Sequence, residues 1–332
     1  MEKIDVLIIG QGIAGTLLGH ELLKKGLTIK VVDNGASHTA SKAAAAIINP
    51  MAGKHWRMAA DAASLLQTAT ETYAELSHLL EIPVLEAMPM WVFPQGHGEL
   101  NALQLAAKAH PAIVHFDETK KPEPCFHSEF PVAVVSKTFR VNNAALLASW
   151  RQFLCARNLL LPEYFDISKA EIGNHEIVYN QIKAAKIVFC EGAATQTQQL
   201  FPSLPFTQNR GDVMLLDIPN LPKHCIYQGA ARLVHLHQDK WWCGSNYAWQ
   251  FHDLKPDVAW RNNTMENLGK WLKLPFQITD HRVAQRPTTA GQKPLLLRHT
   301  AYRNVLLFNG LGTRGFSGGP ALAKQMAAMV MR

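Results

Sequence analysis

The segment IDVLIIGQGIAGTLLGHELLKKGLTIKVVD, residues 4–33, constrains the fold more than any other part of the chain. The apolar run at residues 6–9 predicts a strand that is buried on both faces. A glycine turn follows at Gly10, and apolar residues then recur at helical spacing, which predicts an amphipathic helix. A second β-branched run, Ile29–Val32, ends at Asp33. This order of strand, glycine turn, helix and strand predicts an α/β fold with a parallel sheet.

The three glycines of the G-x-G-x-x-G motif have separate physical tasks. Gly10 makes the tight turn, Gly12 lets backbone amides approach a pyrophosphate, and Gly15 lets the helix lie close to the strand. The first helical residues, Ile13 and Ala14, then present the positive end of the helix dipole to the phosphates. The motif therefore predicts a dinucleotide cofactor.

Asp33 lies about twenty residues beyond the glycines, where a carboxylate accepts hydrogen bonds from ribose hydroxyls. The same carboxylate disfavours a 2′-phosphate, and therefore NADP. The motif does not separate NAD from FAD, so it is equally typical of an NAD-linked dehydrogenase and of a flavoprotein.

Composition narrows the class of protein. With 332 residues, 48% of them hydrophobic and 18% charged, the chain is expected to be globular. No apolar run reaches the ~18 residues of a membrane-spanning helix, so we expect a cytoplasmic protein with no membrane contact. The five cysteines are scattered and lack C-x-x-C spacing, which predicts buried thiols rather than a metal site. The net charge of +7 favours an anionic ligand or a polyanionic substrate.

The chain continues after Asp33 with a run of small residues, SHTASKAAAAIINP at residues 37–50. Small side chains permit the close approach of a large flat group. Together with the opening motif, this segment resembles the D-amino-acid oxidase and glycine oxidase family of FAD-dependent oxidoreductases. In that family the loop wraps the ribityl chain and the flavin ring. The resemblance therefore implies non-covalently bound FAD with contacts from Ser41, Ala45, Ala46 and Ile47.

The resemblance extends into the C-terminal half of the chain. Residues 186–193 resemble the family's strand that returns to the adenosine through Gly192, and a strand within residues 164–167 is expected beside the adenine. Residues 305–308 predict a last buried strand, and a helix with Gly319 at its N-cap and Pro320 at N1 is expected to close the chain. The loop between them holds the flavin's pyrimidine edge in the family. The resemblance assigns to it the cofactor contacts Gly310, Gly312, Thr313, Arg314, Gly315 and Phe316.

Within the family, three segments most resemble the FAD-dependent oxidase domain of bifunctional tRNA 5-methylaminomethyl-2-thiouridine biosynthesis proteins. They are RGDV at residues 210–213, RPTT at 286–289 and GTRG at 312–315. Gln292 departs from that pattern, because an acidic residue is usual there. The resemblance implies a wobble uridine of tRNA as one substrate, oxidised without a fused methyltransferase.

The remaining segments predict a second domain. Helices are predicted over residues 58–80, 142–157 and 257–272. Strands are predicted at residues 90–93, 132–135, 213–216, 231–236 and Lys240–Gly244, the last two joined as a hairpin at Gln238 and Asp239. We expect a chain that is α+β overall, with a Rossmann-like FAD-binding domain over residues 1–52, 140–210 and 285–332. An interleaved substrate domain, built on an antiparallel sheet, is expected over residues 53–139 and 211–284.

Two residue clusters admit more than one interpretation. His235 and His237 are two apart on a predicted strand and could supply two ligands to a metal ion, but exposed hairpin histidines are the preferred interpretation. Tryptophans crowd the last third of the chain and could stack nucleic-acid bases, although core or pocket packing is preferred for most of them. These are Trp241, Trp242, Trp249, Trp260 and Trp271. We therefore expect no metal cofactor.

Arg286 is the predicted substrate anchor, because a guanidinium binds a carboxylate through two parallel hydrogen bonds. In the family the matching arginine holds the amino-acid carboxylate, and a structural ion pair is the alternative role. Tyr247 is expected either to hydrogen-bond the substrate or to pack, and Arg314 either to neutralise the flavin or to reach an anionic substrate.

The resemblance implies the reaction as well as the cofactor. A small-molecule amine or amino acid of the N-substituted glycine type would be oxidised at a C–N bond by hydride transfer to flavin N5. Imine hydrolysis and reoxidation by dioxygen would follow. A non-catalytic flavin-binding redox sensor remains the alternative to an amine oxidoreductase.

Overall fold

The computed structural model of the protein describes residues 1–53, 55–116, 124–197, 200–201 and 204–332. The α-helices of this part are α1 Ile13–Lys24, α2 Ala40–Ala43, α3 Ala62–Leu80, α4 His97–Ala109, α5 Asn143–Ala156, α6 Val258–Trp271 and α7 Gly319–Met331. Its strands are β1 Glu2–Ile9, β2 Ile29–Val32, β3 Ile47–Ile48, β4 Met51–Ala52, β5 Arg57–Met58, β6 Leu85–Ala87, β7 Met90–Val92, β8 Val114–Phe116, β9 Ala133–Val135, β10 Phe139–Val141, β11 Leu160–Leu161, β12 Ala170–Ile172, β13 Ile177–Tyr179, β14 Ile182–Phe189, β15 Phe206–Asp217, β16 Ile226–Gln228, β17 Arg232–His237, β18 Lys240–Gly244, β19 Gln277–Thr289, β20 Leu295–Arg298 and β21 Val305–Asn309.

The first sheet is built around the opening motif. Its parallel strands lie in the order β11, β2, β1, β14, β21, so the chain order reverses between β1 and β14. The hairpin of β12 and β13 extends β14 on one side, and β20 pairs antiparallel with β21. In open α/β sheets, ligands bind beyond the carboxyl ends of the strands at such a reversal point. The topology therefore places a site beyond Ile9 and Phe189.

Both faces of β1 are buried, as its uninterrupted apolar run predicts. Val6 and Ile8 belong to a core with side chains from α1, α3, α5 and α7. Leu7 and Ile9 belong to a second core on the opposite face, with Phe165 and side chains of β13, β14 and β21. This double burial is the reason that β1 has no polar residue after Asp5.

The second sheet has the strand order β19, β15, β18, β17, β16, β7, β9, β8. Its longest pairing joins β15 to β19 in antiparallel register. One face packs against Leu268 and Trp271 of α6. The other face carries Val213, Val234 and Trp242, which pack with Ala45 of the small-residue segment and with Met51 just after it. The second sheet therefore lies directly over the loop that follows β2.

The fold confirms the Rossmann-like unit and the interleaved second sheet, and it corrects several details. The second sheet is antiparallel except for β7 and β16, which pair in parallel. The helix predicted over residues 58–80 begins at Ala62, because β5 pairs with β4 just before it. Gly319 is the first residue of α7, so the N-cap is Gly318. No helix of the described part is both long and apolar enough to span a bilayer.

The strand expected within residues 164–167 is wrong. The last strand before it, β11, ends ahead of Pro162, which has no N–H group to offer a sheet. Residues Ile167–Lys169 instead form a short 3-10 turn, capped by the Asp166 carboxylate, which accepts a hydrogen bond from the Ser168 amide at 3.0 Å. Asp166 favours this local bond over a strand, as short polar side chains commonly do.

Candidate active site

A cavity of about 500 Å³ lies at the reversal point of the first sheet and reaches the near face of the second sheet. Its volume is within the range of ligand sites, which is roughly 300–1,000 Å³. The walls are formed by the glycine turn after β1, the small-residue loop, the turn after β14, the loop before α7, and strands β15, β17, β18 and β19.

The structure brings most of the predicted cofactor residues to this cavity wall. They are Gly10, Gly12, Ile13, Ala14, Asp33, Ser41, Ala45, Ala46, Ile47, Gly192, Gly312, Thr313, Gly315 and Phe316. The two predicted substrate residues, Arg286 and Tyr247, line the same cavity. Their contacts with FAD and with substrate remain predictions.

Three predicted residues do not line the cavity. Gly15 packs behind it, because a Cβ there would lie 1.9 Å from the Gly10 carbonyl oxygen. Gly310 packs against Thr289 and Leu295. Arg314 is exposed, and its carbonyl accepts a hydrogen bond from the Gly318 amide at the start of α7. Arg314 therefore contacts the start of α7 through its backbone, and its side chain is exposed outside the cavity wall.

The glycine turn brings backbone amides to the cavity. Gly10 has φ +100°, and a Cβ there would lie 2.6 Å from the Cys190 carbonyl oxygen. No side chain of the N-cap residue Gly12 and no acidic residue in the first turn covers the α1 N-terminus. The Ile13 amide donates to Ser41 Oγ at 3.0 Å, which places this hydroxyl where a phosphate is expected.

The Asp33 carboxylate is held by hydrogen bonds from within the protein. Its Oδ2 accepts from the Gln11 amide at 2.8 Å, and its Oδ1 accepts from Arg151 Nη1 and the Gly35 amide, each at 2.7 Å. A carboxylate has about four lone-pair sites, so these three bonds leave room for a ribose hydroxyl. Arg151 was not predicted, because only the tertiary fold brings α5 to the end of β2.

Two side chains outside the motifs fix the small-residue loop. Asn143 Nδ2 donates to the carbonyl oxygens of Ser41 at 2.8 Å and Ala44 at 3.1 Å. Trp242 Nε1, from β18, donates to the Ala43 carbonyl at 2.9 Å. Neither residue was predicted, since nothing in the local sequence marks an asparagine or a tryptophan as a partner of a distant loop.

Arg286 crosses the face of the second sheet at Gly211. A Cβ on Gly211 would lie only 2.1 Å from Arg286 Nη2, so only glycine leaves space for the guanidinium. Nη1 donates to Asn209 Oδ1 at 2.5 Å and to the Asn246 carbonyl at 3.1 Å, and Nη2 donates to Ser245 Oγ at 2.7 Å. Cζ lies 4.7 Å from the centre of the Tyr247 ring, within cation–π range.

Neutral acceptors therefore hold Arg286, and no ion pair with a carboxylate forms among the described residues. In this part of the chain Nε has no acceptor, so the edge made by Nε and Nη2 is open to a ligand. Burial lowers the pKa of Arg286, and Tyr247 and Asp212 partly offset this effect. The structural ion pair considered as its alternative role is absent from these contacts.

The RGD segment supports Arg286 from behind. Asp212 is fully buried and accepts from Asn246 Nδ2 at 3.1 Å and from the Asp257 amide at 2.8 Å. Arg210 Nε lies 3.3 Å from the same carboxylate, and His281 Nε2 lies 3.0 Å from it. Because Asn246 also accepts from Arg286, this network sets the position of the guanidinium.

Two charged residues of the wall were not predicted. Arg232 of β17 lines the cavity and donates from Nε to Gln228 Oε1 at 2.6 Å, and burial lowers its pKa. Glu191 follows β14, and burial raises its pKa to about 7. No local sequence pattern indicates either residue, because each reaches the cavity only through the position of its strand in the fold.

The structure agrees with some of the predictions for tryptophans, cysteines and histidines and differs from others. Trp241, Trp242 and Trp271 are buried as expected, whereas Trp249 is half exposed. Cys190, Cys225 and Cys243 are buried, but Cys155 is exposed, because it lies on the outer face of α5. His235 and His237 are separated by a register shift, and His235 Nε2 lies 2.8 Å from the Gln238 carbonyl.

Among the described residues, one group has three potential metal ligands close together, namely His20, Glu21 and Glu75. Lys24 already pairs with Glu75 at 2.5 Å, and His20 Nε2 lies 3.0 Å from it. Lys24 therefore already neutralises this carboxylate.

The cavity fits FAD on four structural grounds. The open N-terminus of α1 suits a pyrophosphate, and Asp33 at the end of β2 suits a ribose. The alanines between Ser41 and Ile47 form a narrow wall over which a flat ring can lie. The N-terminus of α7 has no acidic residue in its first turn, so its dipole can stabilise negative charge on the ring.

Comparison with known proteins agrees with this geometry. Residues 5–329 match the family model described as FAD dependent oxidoreductase, DAO. The fold is similar to that of iminodiacetate oxidase from Chelativorans sp. BNC1, with 18% identity, a TM-score of 0.80, and 98% and 95% of the two chains covered. It is also similar to glycine oxidase from Geobacillus kaustophilus, with 16% identity, a TM-score of 0.81, and 100% and 95% covered. Glycine oxidase from Bacillus cereus ATCC 14579 also has a similar fold, with 16% identity, a TM-score of 0.80, and 99% and 95% of the two chains covered.

Proposed function

The chain belongs to the DAO family of FAD-dependent oxidoreductases, and on that premise we propose that it oxidises a C–N bond of an amine or amino acid of the N-substituted glycine type. Two similar folds belong to proteins named glycine oxidase and iminodiacetate oxidase, which supports this substrate class. FAD, when bound, supplies the hydride acceptor at N5.

The observation that carries the proposal is the open edge of Arg286. Asn209, Ser245 and Asn246 hold the guanidinium in the cavity wall, while Nε has no acceptor among the described residues and Nη2 has one. A carboxylate bound there through two hydrogen bonds would hold its α-carbon in one place beside the small-residue loop. Arg286 would thus orient the substrate and leave the bond change to the cofactor.

The proposed reaction balances without a catalytic metal. The carbon beside the nitrogen loses a hydride, the nitrogen loses a proton to solvent, and a C=N bond forms. Water then adds to this imine, and the C–N bond breaks to give a carbonyl compound and an amine. Dioxygen is the proposed oxidant that accepts the electrons and restores the enzyme.

Tyr247 and Trp242 would shape the substrate end of the cavity. Tyr247 is 57% exposed, so its ring closes the open side while its face contacts the Arg286 guanidinium. Trp242 is buried, and its bond to Ala43 fixes the loop against the sheet. A partly closed apolar wall of this kind limits water around the reacting carbon.

Steady-state oxidation of N-methylglycine and related secondary amines tests the proposal. We expect Arg286→Met to raise KM for carboxylated amines by about 30-fold or more, the loss typical of a removed charge partner. Arg282→Met is the matched control, because Arg282 lies on the same strand, is exposed and pairs with Asp280. An unchanged KM in Arg286→Met, with FAD still bound, would exclude the anchoring role.

A modified uridine of tRNA is a second candidate substrate, favoured by the net charge of +7. We expect retention on immobilised tRNA that weakens steeply as salt rises from 50 to 200 mM, by about tenfold or more. The same measurement with a single-stranded DNA of equal length is the control. Equal, weak retention of both would remove tRNA as a partner.

A further inference from the structure

A second guanidinium faces the cavity from the far side of Arg286. Side chains alternate along a strand, so Arg232 shares a face with Val234 on β17. Val234 pairs with Trp242 and packs in the core that covers the small-residue loop. Arg232 therefore lies on the face of the second sheet that lines the cavity, in agreement with its place in the cavity wall.

The two arginines lie on strands of the cavity wall that are not neighbours. Arg286 is on β19 and Arg232 on β17, with β15 and β18 between them. The two strands lie three spacings of ~4.8 Å apart, roughly 14 Å, and Arg286 lies four residues along β19 from Arg282, the residue level with Val213 and Gly244. Between them, the cavity wall is formed by Gly211 and Val213 of β15 and by Trp242 of β18. Tyr247 contacts Arg286, with 4.7 Å between Cζ and the ring centre, and it lines the same cavity as Arg232.

The hydrogen bonds leave a different edge open on each arginine. Gln228 holds Arg232 through Nε, and no acceptor for its Nη1 or Nη2 occurs among residues 1–53, 55–116, 124–197, 200–201 and 204–332. No carboxylate of those residues pairs with Arg232 either. A half-buried guanidinium without a carboxylate partner is energetically costly, so the presence of Arg232 in the cavity wall indicates an anionic ligand.

We infer that this site takes a substrate with two anionic groups, one held by Arg286 and the other by the terminal nitrogens of Arg232. The reacting amine would lie between them. The chemical class is an N-substituted amino acid whose substituent ends in a carboxylate or a phosphate. The reaction part of this inference rests on the proposed function, and the two-cation site itself does not.

Equilibrium binding to the FAD-loaded protein tests the inference without turnover. Titration calorimetry would compare glutarate with butyrate, which has a similar length and one carboxylate fewer. We expect glutarate to bind about 30-fold tighter or more, as for a desolvated charge pair. Arg232→Met should reduce this ratio to roughly 3 or less while butyrate binding stays within about 3-fold. Arg282→Met should keep the full ratio.

A third ligand, 3-phosphonopropionate, carries one carboxylate and one phosphonate, whereas glutarate carries two carboxylates. Whichever of these two ligands binds more tightly shows which anionic group Arg232 prefers. Arg232→Lys keeps the charge without the fork and should retain part of the preference. The visible absorbance of bound FAD reports whether each variant is folded. Equal or undetectable binding of glutarate and butyrate by the wild type would overturn the inference, as would an equal loss of both in Arg232→Met.

The two proposals can fail separately. A protein that prefers glutarate but oxidises no amine would retain the two-cation site and refute the proposed reaction. Conversely, the protein could oxidise N-methylglycine and iminodiacetate with equal kcat/KM and bind glutarate and butyrate equally. This result would support the proposed reaction and refute the role of Arg232.

Discussion

Gly211→Ala should remove substrate anchoring although it removes no polar group. The added Cβ would lie 2.1 Å from Arg286 Nη2, 2.4 Å from Cζ and 2.6 Å from Nη1, distances that no real contact allows. The obstructing atoms are the far end of a flexible side chain, so the guanidinium will move and the backbone will stay. We therefore expect a functional loss with a small effect on folding.

The magnitude follows from the bonds that move with Arg286. Its hydrogen bonds to Asn209, Ser245 and Asn246 all involve the displaced nitrogens. A misplaced partner of a buried charge costs about 2–5 kcal/mol, which corresponds to roughly 30-fold to several thousand-fold in kcat/KM. The free energy of unfolding should fall by less, about 1–2 kcal/mol, because the guanidinium can regain solvent.

The assay is steady-state oxidation of a carboxylated secondary amine, with bound FAD and the melting temperature recorded for each variant. Gly269→Ala is the control, because Gly269 lies in α6 and a Cβ there meets nothing within 4 Å. Normal kcat/KM in Gly211→Ala would refute the view that Arg286 must lie over Gly211. If Gly211→Ala loses FAD, Arg286→Met provides the same test without a backbone change.

Three further predictions follow from the cavity wall. Gly10→Ala should abolish FAD binding, measured by absorbance after gel filtration, because its Cβ would lie 2.6 Å from the Cys190 carbonyl and φ is +100°; full FAD content would contradict this. Asp212→Asn should destabilise the protein by about 3–5 kcal/mol in denaturant unfolding, because it leaves Arg210 without its buried partner; unchanged stability would exclude the network. Burial raises the pKa of Glu191 to about 7, so the stability that its neutral form contributes is complete below about pH 4.5 and is lost as pH rises through 7. Glu191→Gln should therefore reduce the fall in melting temperature between pH 5 and 8, and an identical fall would refute the assignment.

Local sequence was sufficient where short-range patterns determine the structure. The run before Gly10, the helical spacing after it and Asp33 after Ile29–Val32 together predicted β1, α1 and β2. The hairpin at Gln238 and Asp239 was likewise predicted from the two β-rich runs on either side of it, and it is present. In these segments each residue's neighbours along the chain decide its conformation.

The rest depends on contacts between distant segments. The β16 strand is three residues long and pairs in parallel with β7, more than a hundred residues earlier, so no local pattern could indicate it. Arg232 faces the cavity only because of the register of β17 against β18. Arg151 reaches Asp33 across 118 residues of chain. The family resemblance pointed to segments that line the cavity, whereas the side chains that support these segments follow from the tertiary fold.

The most direct test of the account is the visible absorption spectrum of the purified protein without air, before and after addition of N-methylglycine and iminodiacetate. The account predicts flavin absorbance that is released by denaturation, as expected for non-covalent FAD, and that bleaches with at least one of these amines. A colourless protein that takes up no FAD would contradict the assignment of the cavity. Flavin absorbance that no amine bleaches, with Arg286 intact, would contradict the proposed oxidation of a C–N bond.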